Sequence, residues 1–347
     1  MYTIYDYLKY YGEITIDQIK WNVQDNLICS LLSYLPFESF NRKYNLLDFY
    51  NYIVQNKEIA LQNKSSQKSV DLLKKLLELP RYKDLYITNS VYILNDETQF
   101  GATTFSIQKN TIISYRGSDD SMISWIENLK IAYTYPTITH KQAINYLNKI
   151  KGNNIFVNGH SKGGNLAIVS AMECKSSIYN KIKRIDNFDG PGLRKEEFMS
   201  QKYKKISSKL HNFLPSDSFV GSLLYNDNYN YIKSNGMGIK VHYPYSWILF
   251  GEEFIKQKSS SFSTKLHDIT TKGFSKINQN DLQKTFDAII NYLIDNKKAK
   301  LNFKEVYNII LNIKDIDKTT KDYFIKILTI LGNELISPKK KSNKTWI

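Results

Sequence analysis

The chain has 347 residues, 42% of them hydrophobic and 14% aromatic, enough for a packed core and too apolar for wholesale disorder. Lys and Arg number 48 against 33 Asp and Glu, a net charge of +15, but the lysines are scattered and cluster densely only at Lys339-Lys340-Lys341. That pattern describes a generally basic surface, compatible with weak attraction to an anionic membrane surface or other polyanions and without the focused patch of a specific nucleic-acid reader.

The N-terminus, Met1-Tyr2-Thr3-Ile4-Tyr5-Asp6, has no basic segment followed by an apolar one, and no run approaches the roughly 20 apolar residues of a membrane span. Cys29 and Cys174 sit in apolar helical patterns, as free thiols do in a reducing compartment. Together these point to a cytoplasmic protein. Oligomeric state is left open.

Residues 1–84 read as a helical N-terminal layer. Asp25 is placed to cap the apolar run Leu27 to Leu35, which Pro36 stops. Leu46 to Leu61 and Val70 to Leu79 repeat the helical period. From Leu85 the period becomes strand-like, through 86–88, 91–94, 101–107 and 111–115, the last running into Arg116-Gly117-Ser118-Asp119-Asp120. An amphipathic helix around Trp125 and another from Lys141 to Lys149 follow.

Next comes the most informative stretch, Asn153-Asn154-Ile155-Phe156-Val157-Asn158-Gly159-His160-Ser161-Lys162-Gly163-Gly164-Asn165-Leu166-Ala167. It reads as buried strand, Gly-x-Ser-x-Gly turn and helix, the setting in which a serine hydroxyl is lifted above a sheet edge as a nucleophile. Strands follow at 182–189, ending in Gly190-Pro191-Gly192, and at 209–214, ending in Pro215-Ser216-Asp217. Alternation of strands and helices after an opening meander indicates an α/β fold, α/β-hydrolase-like, with a mostly parallel sheet and helices on both faces of an 85–274 core. Residues 275–347 read as a helical C-terminal region with a polar tail from Ser337.

Tyr115-Arg116-Gly117-Ser118 with Trp125-Ile126-Glu127-Asn128-Leu129 resembles the oxyanion-loop segment of class 3 lipases, and Asn158 to Ala167 resembles their elbow. The lysine after the serine, Tyr5-Asp6-Tyr7-Leu8, Asp25-Asn26-Leu27-Ile28, Asp189-Gly190-Pro191-Gly192 and Val241-His242-Tyr243-Pro244-Tyr245-Ser246-Trp247 look more like a bacterial branch of lipase-like α/β-hydrolases. The similarity spans about residues 1–270. It implies a serine hydrolase of esterase or lipase type, acting through an acyl-enzyme on a small-molecule or lipid ester. A peptidase, amidase or thioesterase on the same triad, and a silent hydrolase-fold binding module, stand beside it.

Ser161 needs a base oriented by an acid, in the chain order serine, acid, histidine. Of the five histidines, His242 and His267 come late enough, with His242 favoured because the strand-like Gly238–Val241 would present it from the end of the last sheet strand. Asp217 is the first choice of acid, with a helix cap as its ordinary role, and Asp189 the second. The N–H of Lys162 with the N–H or hydroxyl of Ser118 would form the oxyanion hole. Arg116 reads as a charge-paired brace and the Lys162 side chain as solvent-facing. No cofactor or metal is called for, since no His/Cys/Asp/Glu set has ligand spacing.

Overall fold

The computed structural model describes residues 2–35, 39–56, 64–119, 121–297, 303–314 and 316–335. The expected stop at Pro36, the end of the helix expected over 46–61 and the tail from Ser337 lie outside these residues.

Eight strands form one sheet in strict sequence order: β1 (Tyr44–Asn45), β2 (Tyr86–Leu94), β3 (Gln99–Ile107), β4 (Asn110–Tyr115), β5 (Asn154–His160), β6 (Ile182–Phe188), β7 (Leu210–Pro215) and β8 (Tyr229–Ile232). β1 to β4 pair antiparallel and β4 to β8 parallel. The inner parallel strands are largely buried on both faces, as βαβ crossovers require. β8 was not expected; its sequence, Tyr-Asn-Tyr-Ile, is polar and three-quarters of it only half buried.

Helices before β2 are α1 (Ile4–Tyr11), α2 (Val23–Leu32), α3 (Leu46–Gln55) and α4 (Lys64–Leu76). The cap of α2 is Asn22, whose side chain accepts from the amides of Gln24 and Asp25. Asp25 instead sits three residues into the capping box and returns a bond to the Asn22 N–H, so the expected cap is one step of the motif removed. Its other task is structural: buried Arg81 grips it at 2.6 and 2.9 Å, and the Tyr82 hydroxyl donates to it at 2.8 Å. Leu27, Ile28, Leu31 and Leu32 of α2, with Ile4, Phe49 and Leu72, pack on Ile87, Phe105, Ile112, Phe188 and Phe213 of one sheet face in a single core.

The opposite face is covered by α6 (Ile138–Asn148), α7 (Lys162–Glu173) and α10 (Gln201–Ser207), through Leu147, Leu166, Ile168, Val169 and Ile206 against Ile113, Val157 and Ile185. Four further helices, α5 (Met122–Lys130), α8 (Ser176–Tyr179), α9 (Lys195–Phe198) and α11 (Ser261–Asp268), line the ends of the crossovers and the edge beyond β8. α12 (Gln279–Asp295), α13 (Phe303–Asn312) and α14 (Lys318–Leu335) pack on α5 around Ile126, Leu282, Phe286 and Phe324. Among the described residues no helix is long and apolar enough to cross a membrane, and both cysteines are free.

Candidate active site

The parallel strands end together, and the loops that leave them hold the candidate residues. Between β5 and α7, Ser161 takes φ 60° and ψ −132°, a left-handed backbone that a residue with a side chain occupies only under constraint. The constraint is visible at Gly163, where a Cβ would collide with the Tyr115 carbonyl, and at Gly159, where it would collide with Gly163 itself. The Ser161 N–H donates to Phe188 O at 3.0 Å, tying the turn to the end of β6. Lys162 and its successors open α7, where the first N–H groups have no intrahelical acceptor.

One residue beyond β6, Asp189 also has positive φ, 54°, and is completely buried. Its carboxylate accepts from the Ser218 hydroxyl and from the Gly221 N–H at 3.1 Å, and its Oδ2 lies 2.7 Å from His242 Nδ1. Burial pushes this carboxyl up from its ordinary value, and the His242 and Ser218 contacts hold it down. A carboxylate can only accept, so Nδ1 carries a proton, and in the neutral ring Nε2 is then the nitrogen with the free lone pair.

The acid that meets His242 is therefore Asp189, which replaces Asp217 as the candidate. Asp217 lies in the half-buried turn after β7. Both aspartates follow strands; Asp189 follows β6, the strand that pairs with β5 beside Ser161.

His242 itself does not follow a strand. Gly238–His242 is a 3₁₀ turn, and the last strand of the eight-stranded sheet is β8. Its backbone is fixed by two indole and imidazole donors. Trp247 Nε1 gives a hydrogen bond to Val241 O at 2.8 Å, and His160 Nε2 gives one to His242 O at 2.8 Å. The two imidazoles lie 4.5 Å apart between centroids. The other nitrogen of His160 accepts from the Tyr34 hydroxyl at 2.9 Å. Burial, with the adjacent His242, holds the His160 ring well below the usual histidine range. In the sequence His160 comes too early in the chain to be the base; its place is behind the candidate base.

His267 lies on α11, edge-on to Tyr229, with buried Nδ1 lacking a partner among the described residues. His140 is the N3 residue of the α6 cap, accepting from Thr137 N at 3.1 Å and donating to Asn165 Oδ1 at 2.7 Å. His211 sits in β7 beside buried Asp186.

The Gly117–Ser118 segment runs alongside the turn: a Cβ on Gly117 would strike His160 O and the Tyr34 hydroxyl. Ser118 Oγ is hydrogen-bonded to the Asn128 amide, 3.0 Å from Oδ1 and 2.8 Å from Nδ2. Arg116 is buried and, among the described residues, its brace is not a carboxylate: Nη1 donates to Leu35 O at 3.3 Å and the guanidinium lies 4.7 Å from the Tyr92 ring centroid. The Lys162 side chain, expected in solvent, is buried and paired with Glu127 at 2.9 Å. No group of three or more His, Cys, Asp or Glu gathers to hold a metal among the described residues.

A doubly covered, mostly parallel sheet carrying a strained serine turn at the centre of its carboxyl edge is an α/β-hydrolase-like fold. The Mbeg1-like family model matches residues 76–291, more than half of the chain. The chain belongs to the Mbeg1-like family. No curated protein matches it in sequence. Among solved structures it is similar to the crystal structure of M37 lipase, at 15% identity and a TM-score of 0.37, over 57% of this chain and 67% of that one.

Proposed function

We propose that the protein is a serine hydrolase of esterase or lipase type, with Ser161 as nucleophile, His242 as base and Asp189 as the acid that orients it. The observation that carries the reading is the 2.7 Å contact between Asp189 and His242 Nδ1, one residue beyond the strand whose last carbonyl binds the Ser161 N–H. In this mechanism the Ser161 hydroxyl transfers its proton to His242 Nε2 as Oγ attacks the ester carbonyl carbon. The carbonyl oxygen becomes an oxyanion facing the N–H of Lys162 and the N–H or hydroxyl of Ser118. Collapse breaks the bond to the alkoxy oxygen, which leaves with the proton from His242. Water then repeats the sequence on the acyl-enzyme and releases the acid.

Apolar Met237, Ile239 and Tyr243 are exposed on the loop that carries His242, which supports an apolar acyl group and, with the basic surface, a lipid ester as substrate. The test is labelling by a fluorophosphonate. Wild-type protein should react and Ser161→Ala should not, with the latter also losing hydrolysis of a short activated ester. Equal turnover by the two proteins removes the mechanism.

A further inference from the structure

Lys162 stands beside the candidate nucleophile, yet its side chain points away from solvent into a closed polar cluster. Nζ donates to Gln99 O at 2.7 Å, to Gln99 Oε1 at 2.6 Å and to Glu127 Oε2 at 2.9 Å, so all three ammonium donors are used. Glu127 is filled as well. Its Oε1 accepts from Thr98 Oγ1 at 2.8 Å and its Oε2 from Gln99 N at 3.0 Å, while Ser124 Oγ, one turn earlier on α5, gives a bond to Gln99 Oε1 at 3.0 Å.

The cluster joins three elements: the start of β3, α5, and the first turn of α7. α5 is also the helix that receives the 116–121 loop, and the residue after Glu127, Asn128, is the one that holds Ser118 Oγ. The loop's other end is tied to the same strand, through Arg116 N to Gly101 O at 2.9 Å.

A buried ion pair is a poor source of net stability, because desolvation of both charges offsets their attraction. Burial pulls the lysine below its ordinary value, and the Glu127 carboxylate offsets only part of that pull. What such a pair supplies is direction: three short donors admit one placement of α5 against α7. We infer that Lys162 and Glu127 are positioning residues that lock the Ser118 loop to the serine turn, so that the two N–H donors are set at a fixed separation before substrate arrives. This rests on the serine-hydrolase reading. A donor displaced by about 1 Å costs on the order of 10²-fold in rate.

The experiment uses Glu127→Gln and the double variant Lys162→Met with Glu127→Leu in the full chain. Glu127→Gln leaves an unpaired buried ammonium and should lower Tm. The double variant removes both charges and should recover most of that loss. In the double variant kcat on a short activated ester should still be down about 10²-fold, with KM within a few-fold. Amide hydrogen exchange at Gly117, Ser118 and Asp119 should be at least about tenfold faster than in wild type, with β5 and β6 unchanged.

Wild-type kcat together with wild-type exchange in the double variant overturns the inference, and so does a loss of kcat with no change in loop exchange. The exchange arm is read whether or not the protein turns over ester. An inert wild type removes the hydrolase reading, and faster or unchanged loop exchange then decides the clamp by itself.

Discussion

Replacing Asp189 by Asn tests the triad with little change of shape. Asp189 Oδ1 is held by the Ser218 hydroxyl and the Gly221 N–H, both donors, so an Asn at this position keeps its oxygen there. Its amide nitrogen then faces His242 Nδ1, 2.7 Å away, and two donors cannot share that line. The imidazole must accept at Nδ1 and carry its proton on Nε2, the nitrogen that has to take the proton from Ser161. In serine hydrolases with this arrangement the wrong tautomer lowers kcat about 10⁴-fold, equivalent to about 5.4 kcal/mol of barrier. Stability should change by only about 1 kcal/mol, because two of the three hydrogen bonds survive. The assay is kcat and KM on an activated short-chain ester, with Tm measured on the same samples. Asp217→Asn and His267→Ala serve as controls and should stay within a few-fold of wild type. If Asp189→Asn keeps activity within tenfold while Asp217→Asn loses it, the acid has been misassigned. If His267→Ala is the inactive histidine variant, the base belongs to α11.

Two other outcomes are expected. Ser118→Ala removes the hydroxyl and its bond to Asn128 but keeps the N–H; a kcat loss on the order of 10²-fold would mark the hydroxyl as an oxyanion donor, and an unchanged kcat would leave the N–H alone in that role. His140 is held neutral in the fold at about 4 by burial, against an unfolded value of about 6.5. The unfolded chain therefore binds its proton first, so this residue's stabilisation is present above pH ~6.5 and is lost as pH falls toward ~4. His140→Gln should show a smaller decline in Tm between pH 7 and 5 than wild type does, and an equal decline would refute the assignment.

The serine turn was legible because everything it needs is local: two glycines at fixed offsets, an apolar strand before and an apolar helix after. The acid was not. Choosing between Asp189 and Asp217 requires knowing which strand lies beside β5, and both follow strands of similar composition. The missing β8 made this worse. Its Tyr229-Asn230-Tyr231-Ile232, preceded by Asn226-Asp227-Asn228, offers no alternating pattern, since the strand is at the edge and three of its four residues are only half buried. With β8 unseen, the apolar Ile239 and Val241 were read as the last strand, and His242 as its end. Lys162 failed for a related reason. A lysine on the first turn of a helix ordinarily meets water, and the partner that buries this one is 35 residues earlier in the chain, in a helix whose exposed Trp125 gives no hint of it. Local chemistry marked the candidate nucleophile, while lateral strand order placed the Asp189–His242 pair.

The family match starts at residue 76, but the physical unit does not. Helices α1 to α4 share one continuous core with the underside of the sheet, and Tyr34, in the turn that closes α2, reaches the His160 ring that supports the His242 carbonyl. A chain trimmed to the matched span would bare Phe105, Ile112, Phe188 and Phe213 to water and leave His160 Nδ1 without its donor. The matched segment is thus not by itself a unit of folding. Any transplant of this candidate edge onto another scaffold has to bring a helical underlay with it, or supply a hydroxyl of its own beneath the histidine.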